Sequence, residues 1–395
     1  MTGPTPPTAS TPCLELTILL PCLDEAETIV TCVAKARDWL RRANVCGEVL
    51  VADNGSTDGS IQLATDAGAR VIDVPVRGYG AALRHGIGEA HGRFVIMADA
   101  DDSYDLGNLD PFLGELRGGA QLVMGNRFKG GIEPGAMPWL HRHVGNPLLS
   151  WIGRLLYRTP IGDFHCGIRG FDRAAIEALQ LRTDGMEFAS EMVVRASLAH
   201  LDIREVPTTL RPDGRSRPPH LRTWRDGWRH LRFLLVYSPR WLFFIPGAVV
   251  FVLSAIATVA LLIGPITIGS ATFDVAALLY AATGTIIGAQ AMAFGIYCRV
   301  YAGARRLYPR TGALDVFERW FSLERGLVAG AVVMVAGIVI AIVSVQRWSE
   351  ASFGHLDPTS QLRVVVPAML GLVHGSSLIL GSFALSVLGI RTSDD

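Results

Sequence analysis

The stretch Phe94-Val-Ile-Met-Ala-Asp-Ala-Asp-Asp-Ser-Tyr-Asp105 is a short apolar run that ends in four carboxylates. The run from Phe94 to Ala98 predicts a buried strand, and Asp99, Asp101, Asp102 and Asp105 follow it. Alternate residues of an extended chain share a face, so we expect Asp99 and Asp101 to point together. A divalent cation would relieve their repulsion, and Mg2+ favours oxygen ligands that include water and substrate phosphates. The pattern indicates a metal–diphosphate site, and a solvated acidic turn is the alternative that these residues alone leave open.

The composition separates a soluble part of the chain from a membrane part. Of the 395 residues, 50% are hydrophobic, and the mean hydropathy of +0.33 is high for a soluble protein. Apolar residues concentrate in the last third, whereas nearly all Asp-rich motifs precede residue 110. The formal net charge is zero, so no overall positive field indicates a nucleic-acid partner. The six cysteines form no Cys-x-x-Cys pair, which predicts reduced thiols in a cytoplasmic domain.

Strands and helices alternate through the first hundred residues. Residues 1–13 are rich in Thr and Pro, lack a signal-peptide pattern and are predicted to be a disordered tail. Apolar runs predict strands at 16–20, 48–52, 69–74 and 94–98, and helical spacing predicts helices at 28–40, 61–67 and 80–90. This alternation predicts a mainly parallel sheet with ligands at the carboxyl ends of its strands. Polar clusters at 24–25, 53–58 and 99–105 follow three of these strands, so we expect one site along that edge.

Four motifs, in this order and spacing, resemble those of family 2 glycosyltransferases with the GT-A fold. They are Pro21-Cys-Leu-Asp-Glu25, Asp53-Asn-Gly-Ser-Thr-Asp58, Arg77-Gly-Tyr-Gly-Ala-Ala82 and Asp99-Ala-Asp101. Within that family the chain looks most like the polyprenyl-phosphate glycosyltransferases, such as dolichol-phosphate mannose synthase and bacterial undecaprenyl-phosphate glucosyltransferases. The resemblance implies an α/β fold, with a Rossmann-like, mainly parallel GT-A domain over residues 14–219.

The resemblance also implies roles for residues on the donor side of the site. It assigns donor-nucleotide binding to Pro21, Leu23, Glu25, Asp53, Gly78 and Asp99, and a Mg2+ or Mn2+ ion to Asp99 and Asp101. The sequence departs from the family where an aromatic residue and Asn usually precede the Glu, because Leu23-Asp24 stands there. It departs again after the Asp-x-Asp, where Asp102-Ser103 replaces the usual Leu-Gln. The third metal ligand therefore stays open between Asp102, Ser103 and Asp105, and Ser103 is our first choice.

On the acceptor side, Arg127, Arg142 and Asn146 match positions where the family holds the acceptor phosphate. Guanidinium groups bind phosphate through two parallel hydrogen bonds, so Arg127 and Arg142 join Asp99 and Asp101 as expected catalytic residues. By the same resemblance Asp163 and Arg169 form the wall of the site. Glu187 and Glu191 are one helical turn apart, and we expect Glu191 to face the acceptor side. His165 is predicted to be structural, because no partner His or Cys lies at metal-ligand spacing. For Glu187 and Glu191 a solvated helix face is the alternative.

The segment 207–219 resembles the family's mobile loop over the active site. Its basic residues could neutralise a leaving diphosphate, although a basic linker near anionic lipid would carry the same charges. The predicted loop residues are Arg211, Arg215, Ser216 and Arg217. An Arg replaces the Lys that usually ends this loop in the family.

The C-terminal part of the chain predicts attachment to a membrane. Residues 220–240 interleave Arg with Trp and Leu, the pattern of an interfacial amphipathic helix. Apolar segments at about 241–263, 275–300, 326–345 and 364–390 each approach or exceed the roughly 20 residues that cross a bilayer. Five arginines lie between the second and third segments, within 301–325. The positive-inside rule then predicts a multi-pass protein of the cell (inner) membrane, with the catalytic domain and both termini in the cytoplasm.

The resemblance implies an inverting, metal-dependent transfer of a sugar from a nucleotide sugar to the phosphate of a membrane polyprenyl phosphate. UDP-glucose is the first expected donor and GDP-mannose the second. A phosphate monoester has a second pKa near 6, so it is a dianion at neutral pH and needs no general base. The reaction therefore suits a sequence in which no Ser-His or Cys-His pair is evident.

Two other functions and one assembly question stay open at this stage. A processive polysaccharide synthase would carry Gln-x-x-Arg-Trp, but Tyr237 and Val316 stand at the Gln position of the two Arg-Trp pairs. A non-catalytic membrane scaffold or lipid-carrier flipping partner would not need the retained aspartates and arginines. The spacing Gly284-x-x-x-Gly288 allows close helix packing, either within one chain or in a homo-oligomer.

Overall fold

The structure is a computed structural model that describes residues 14–216, 223–304 and 322–388. The predicted tail 1–13, Arg217 and most of the arginine-rich 301–325 connection lie outside the described residues. The chain divides into two compact units, the first ending at Leu234 and the second beginning at Leu235.

A sheet of seven strands forms the centre of the first unit. The strands are β1 (Leu16–Cys22), β2 (Gly47–Asp53), β3 (Arg70–Asp73), β4 (Phe94–Met97), β5 (Leu122–Asn126), β6 (Arg169–Asp172) and β7 (Ile203–Pro207). Their order is β3-β2-β1-β4-β6-β5-β7. Only β6 runs antiparallel to its neighbours β4 and β5, and the other pairs are parallel. This arrangement confirms the predicted mainly parallel sheet.

Helices lie between these strands along the chain, and one more helix follows the last strand. They are α1 (Ile29–Arg42), α2 (Ser60–Asp66), α3 (Tyr79–Glu89), α4 (Asp110–Arg117), α5 (Arg127–Gly130), α6 (Asn146–Tyr157), α7 (Arg173–Ala178), α8 (Phe188–Leu198) and α9 (Thr223–Val236). A π-helical turn, His141–Gly145, leads directly into α6. On α1 the residues Ile29, Val33 and Trp39 recur at helical spacing and are buried.

The register of the strands brings the polar clusters to one edge of the sheet. Cys22 of β1 pairs with Asp53 of β2, and Asp53 pairs with Asp73 of β3. All four residues of β4 are buried, which explains why its sequence is continuously apolar rather than alternating. Because β1, β2 and β4 are parallel neighbours, the segments that follow them leave the sheet side by side.

The second unit contains four long apolar helices. They are α10 (Ile245–Ile263), α11 (Val275–Ala304), α12 (Leu323–Glu350) and α13 (Pro358–Leu388). A π-helical turn, Arg240–Phe244, precedes α10, and a hairpin of β8 (Ile266–Ile268) and β9 (Ala271–Phe273) joins α10 to α11. Each helix is long and apolar enough to cross a membrane, the first counted from Arg240. Helix α12 extends past the predicted 326–345, and at its start Ser322 Oγ accepts a hydrogen bond from the Arg325 amide.

Glycines allow these helices to pack closely within the chain. A side chain at Gly288 of α11 would collide with the Gly247 carbonyl and the Phe251 backbone of α10. Gly337 of α12 meets the backbone of α13 in the same way. The spacing Gly284-x-x-x-Gly288, which the sequence left open between two kinds of packing, therefore serves packing inside one chain.

Candidate active site

The loops that follow β1 and β2 are held together by hydrogen bonds. The Asp24 amide donates to Ser56 Oγ at 2.8 Å, and Asp24 Oδ1 accepts from the Thr57 amide at 2.7 Å. The Glu25 amide donates to Ser60 Oγ at 2.8 Å. Asp24 has φ of 55°, a left-handed conformation that Asp tolerates better than most side chains. The Asp24 that departs from the family motif therefore fixes the shape of this loop.

Asp53 is the last residue of β2, and its two carboxylate oxygens differ in their hydrogen bonds. Its Oδ2 accepts from the amides of Gly55 at 2.9 Å and Ser56 at 3.0 Å. Its Oδ1 is buried and has no hydrogen-bond partner among the described residues. Buried polar atoms are nearly always paired, so this oxygen is suited to accept a hydrogen bond from a ligand. That position agrees with the predicted contact to a nucleotide.

Asn54 determines the path of the glycine-rich segment that follows β3. Its amide nitrogen donates to the Val74 and Val76 carbonyls, and its oxygen accepts from the Gly78 amide at 2.6 Å. Gly78 has φ of 143°, and a Cβ there would collide with the Asp184 carbonyl. Only glycine fits this backbone without strain. Asn54, in the motif that follows the neighbouring strand β2, thus positions Gly78, which is predicted to bind the nucleotide.

Asp99 and Asp101 lie close enough to influence each other. Burial raises the pKa of the Asp99 carboxyl to about 6, and the charge of Asp101 contributes to the increase. The Tyr79 hydroxyl donates to Asp99 Oδ1 at 2.9 Å, and Ser103 Oγ donates to Asp101 Oδ1 at 2.6 Å. The motif Arg77-Gly-Tyr-Gly-Ala-Ala82 contains Tyr79, but the sequence indicates no role for this side chain beyond its position between two glycines.

Arg215 occupies the space between two of the predicted site carboxylates. Its Nη1 lies 3.0 Å from Glu25 Oε1, and its Nη2 lies 3.0 Å from Asp101 Oδ2. Asp213 of the same loop adds a third contact at 3.0 Å. The Arg215 side chain is only 10% exposed, so water screens these pairs weakly. The predicted loop residue therefore lies inside the carboxylate cluster.

The loop that carries Arg215 is fastened along the segment that follows β4. The Gly214 amide donates to the Asp101 carbonyl, and the Arg211 amide donates to the Ser103 carbonyl, both at 2.9 Å. Ser216 binds Glu27 through its amide and its hydroxyl, each at 2.6 Å. These bonds hold Arg211 and Ser216 beside the carboxylates, and the role of the loop over an active site stays a prediction.

The candidates for a third metal ligand differ in what they contact. Asp102 pairs with Lys35 of α1 at 2.7 Å, and Asp105 accepts from the Gly107 amide and faces Arg211. Ser103 stays bound to Asp101. Among the described residues no group of three or more His, Cys, Asp or Glu side chains could hold a metal by itself. The two carboxylates fit a cation that takes its remaining oxygens from water and phosphate.

Arg127 forms a buried ion pair with Asp163. Its Nε and Nη2 lie 2.7 Å and 2.8 Å from the two carboxylate oxygens, and its amide donates to Asp163 at 3.1 Å. Glu205 of β7, which sequence reasoning missed, accepts from the amides of Gly162 and Asp163 and holds this turn in place. Positive charge from Arg127 offsets a small part of the rise in the pKa of Asp99, and it adds to the lowering of the His141 pKa that burial causes. Arg127 therefore acts electrostatically on both Asp99 and His141.

The predicted acceptor residues Arg142 and Asn146 lie on this turn and at the start of α6. Arg142 is exposed and makes no ion pair with any residue that the structure describes. The Asn146 amide donates to Met137 Sδ at 3.4 Å. No described contact joins either residue to the Arg127–Asp163 pair, so their part in an acceptor site stays a prediction.

Two predicted wall residues have structural contacts. Arg169 is fully buried and donates to the carbonyls of Phe164, Cys166 and Ala189. Glu191 is also fully buried, accepts from the amides of Arg182 and Thr183, and lies 3.4 Å from Arg195. For Glu191 the alternative of a solvated helix face is wrong, because the side chain closes the 182–184 loop that contacts α3 through Asp184.

Comparisons with known proteins agree with this geometry. Residues 17–180 match the family described as glycosyl transferase family 2, and residues 296–389 match the glycosyltransferase family 2 C-terminal transmembrane region. The low-salt glycan biosynthesis hexosyltransferase Agl6 of Haloferax volcanii is 37% identical over 95% of this chain and 89% of its own. The dolichyl-phosphate hexose transferase of the same organism is 28% identical over 50% of this chain and 83% of its own.

A solved structure with a similar fold is glucosyl-3-phosphoglycerate synthase from Mycobacterium tuberculosis, in complex with Mn2+, UDP and glucosyl-3-phosphoglycerate. It is 22% identical and covers 57% of this chain and 78% of that chain, with a TM-score of 0.45. Similarity at this level says nothing about the substrates of the present chain.

Proposed function

Because the chain belongs to glycosyltransferase family 2, we propose that it transfers a sugar from a nucleotide sugar to the phosphate of a membrane polyprenyl phosphate. The observation that carries the proposal is the union, in one chain, of a carboxylate–arginine site and four helices of membrane-spanning length. The relative that is named a dolichyl-phosphate hexose transferase supports the same class of acceptor. UDP-glucose is the first donor to test and GDP-mannose the second.

On the donor side, each strand end would serve one part of a nucleotide sugar. Asp53 would accept a hydrogen bond from the nucleoside through its buried, unpaired Oδ1. Asp99 and Asp101 would hold Mg2+ or Mn2+, and the bound ion would stabilise the charge that develops on the nucleoside diphosphate. The Tyr79 and Ser103 hydroxyls would keep the two carboxylates oriented.

On the acceptor side, the chemistry needs orientation more than proton transfer. The phosphate dianion is itself the nucleophile, so an oxygen of the lipid phosphate attacks the anomeric carbon while the bond to the diphosphate breaks. A single displacement of this kind inverts the anomeric configuration. Arg142 and Asn146 would hold the phosphate in line, which contributes through proximity and orientation. Arg127 would add positive charge, which acts on both Asp99 and His141.

The proposal is tested by assaying a panel of nucleotide sugars with a polyprenyl phosphate and Mg2+ or Mn2+, using the full chain in detergent or vesicles. Formation of a polyprenyl-phosphate sugar from one donor would support it. Release of sugar only to water, or its addition to a growing polysaccharide, would contradict it.

The Arg142→Ala variant tests the acceptor side separately. A charge-assisted hydrogen bond is worth about 1.5–3 kcal/mol. Because each 1.4 kcal/mol corresponds to a factor of ten, acceptor-dependent kcat/KM should fall roughly ten- to a hundredfold. Donor affinity, measured by calorimetry on the same variant, should barely change. Loss of donor affinity with normal acceptor dependence would place Arg142 in the nucleotide site instead.

A further inference from the structure

One face of α1 contacts the turn 99–102, which carries the two predicted metal ligands. Thr28, the residue before α1, is followed at helical spacing by Cys32 and Lys35, so these three side chains lie on one face. All three make polar contacts with the turn. Helix α1 and its cap residue therefore support the segment that presents both predicted ligands.

The peptide between the two aspartates is anchored through its carbonyl group. The Ala100 carbonyl accepts a hydrogen bond from Thr28 Oγ1 at 2.7 Å, and the Cys32 thiol donates to the same oxygen at 3.4 Å. Thr28, Cys32 and Ala100 are all buried, so water competes little for these bonds. The peptide that joins Asp99 to Asp101 is therefore fixed against α1.

The next residue of the turn is held by an ion pair. Lys35 Nζ lies 2.7 Å from Asp102 Oδ1 and 2.8 Å from Asp102 Oδ2. Asp102 has φ of 60°, so the backbone turns there through the left-handed region. The side chains of Lys35 and Asp102 are 34% and 23% exposed, which shields the pair partly from water. Lys35 thus engages both oxygens of the residue at which the backbone turns.

Both residues at which this turn departs from the family motif act on its shape. Asp102 connects the turn to α1 through Lys35. Ser103 donates to Asp101 Oδ1 through its amide at 3.1 Å and through its hydroxyl at 2.6 Å. The backbone and one of the two predicted ligands are therefore oriented by contacts outside the cation site itself.

We propose that Thr28 and Lys35 are positioning residues for the cation site. They hold the turn 99–102 in the shape in which its two predicted ligands share one ion. Asp102 is then the anchor for Lys35 rather than a third metal ligand. This role rests on the part of the proposed function that assigns a divalent cation to the turn.

The test compares Mn2+ binding by the full chain in detergent and by its Lys35→Met variant. Mn2+ alone is titrated, and the free ion is measured by electron paramagnetic resonance. Loss of a positive charge would by itself strengthen cation binding, whereas loss of positioning weakens it, so the sign of the change separates the two effects. Removing a partner that orients metal ligands typically weakens binding by about 10- to 100-fold, and for this partly exposed pair we expect about tenfold.

Two further variants and a matched control accompany Lys35→Met. Lys35→Arg can keep the ion pair and should restore most of the Mn2+ affinity. Thr28→Val removes the bond to the Ala100 carbonyl but keeps the shape of the side chain, so it should also weaken Mn2+ binding. Arg37→Met is the control, because it removes the same charge from α1, whereas Arg37 donates to the Ala67 carbonyl. This control should not weaken Mn2+ binding.

Two measurements distinguish positioning from a general loss of stability. In Lys35→Met and Thr28→Val the amides of residues 101–103 should exchange faster with solvent, while those of β2 stay protected. The Mn2+ concentration for half-maximal transfer should rise more than kcat falls. A low kcat at every Mn2+ concentration, with fast exchange in β2, would show a fold defect and overturn the proposal.

Unchanged or tighter Mn2+ binding by Lys35→Met would also overturn the proposal, and tighter binding would show that Lys35 competes with the cation for Asp102. These results would leave the proposed function intact. If the unaltered chain bound no Mn2+, the proposed function would lose its cation and the positioning role would fall with it.

Discussion

At the scale of single residues, Asp99 and Asp101 carry the strongest prediction. We expect Asp99→Asn or Asp101→Asn to abolish sugar transfer, because a neutral amide removes negative charge from the cation site while it preserves the shape of the side chain. The measurement is transfer rate as a function of Mg2+ or Mn2+ concentration.

The control for these variants is Asp66→Asn, since Asp66 is an exposed residue of α2 whose carboxylate accepts a hydrogen bond from Gln62 and from none of the site residues that the structure describes. It should retain full activity. Undiminished transfer by either site variant, or full turnover of the unaltered chain in excess chelator, would refute the assignment of a metal to these carboxylates.

Arg215 gives a second prediction at this scale, because its guanidinium group already neutralises Glu25 and Asp101. A cation that binds Asp101 must compete with this arrangement. We expect Arg215→Gln to tighten Mn2+ binding in the absence of nucleotide by about tenfold, the equivalent of one charge-assisted hydrogen bond. Transfer should become slower, because the loop would lose the charge nearest to the leaving diphosphate. Free Mn2+ is measured by electron paramagnetic resonance during titration.

The matched control is Arg211→Gln, whose side chain pairs with Asp105 and Glu133 and not with Asp101. Mn2+ affinity should stay unchanged in this variant. If Arg215→Gln left Mn2+ affinity the same or weakened it, Arg215 would not compete with the cation.

At the scale of elements, the Arg127–Asp163 pair joins the end of β5 to the turn that precedes β6. The two side chains are 9% and 0% exposed. Removing one partner of a buried pair leaves an uncompensated charge and costs about 3–5 kcal/mol, whereas replacing both partners by apolar residues costs far less. We expect Asp163→Ala to accelerate hydrogen exchange of the β5 amides by about two to three orders of magnitude.

The double variant Arg127→Met with Asp163→Leu separates stability from function. It should restore slow exchange in β5 but still show impaired use of the acceptor. Normal acceptor kinetics in this folded variant would show that Arg127 only supports the fold, and fast exchange would show that the pair is not what holds the two elements.

At the scale of the whole molecule, the question is which side of the membrane each connection occupies. The five arginines of the 301–325 connection predict a cytoplasmic location for it. The 346–363 connection has only two basic residues, Arg347 and Arg363, which predicts the opposite side of the membrane. We expect a cysteine at Thr311, which lies outside the described residues, to be shielded from membrane-impermeant thiol reagents in intact cells. A cysteine at the exposed Ser360 should be labelled. The reverse pattern would move the catalytic unit to the other side of the membrane.

The sequence was sufficient for the features that depend on neighbours along the chain. Apolar runs identified β1, β2 and β4, because strands that are buried on both faces are continuously apolar. The apolar run 69–74 also identified β3, which is only partly buried. Long apolar segments identified the four membrane helices, because the thickness of a bilayer requires that length. Motifs at the strand ends placed their polar residues at one edge of the sheet, because parallel strands bring their carboxyl ends together.

The tertiary structure alone decided which distant residues meet. Arg215 lies 114 positions from Asp101, and no local pattern indicates that the two would pair. Glu205 and Tyr79 acquired their contacts in the same way, through β7 pairing beside β5 and through α3 lying beside the end of β4. The sequence marked Glu191 only as a carboxylate at helical spacing, and burial against the 182–184 loop made it a structural residue. Charge and hydrophobicity are local properties of a sequence, whereas the partner of a charge and the exposure of an apolar face are set when the elements pack.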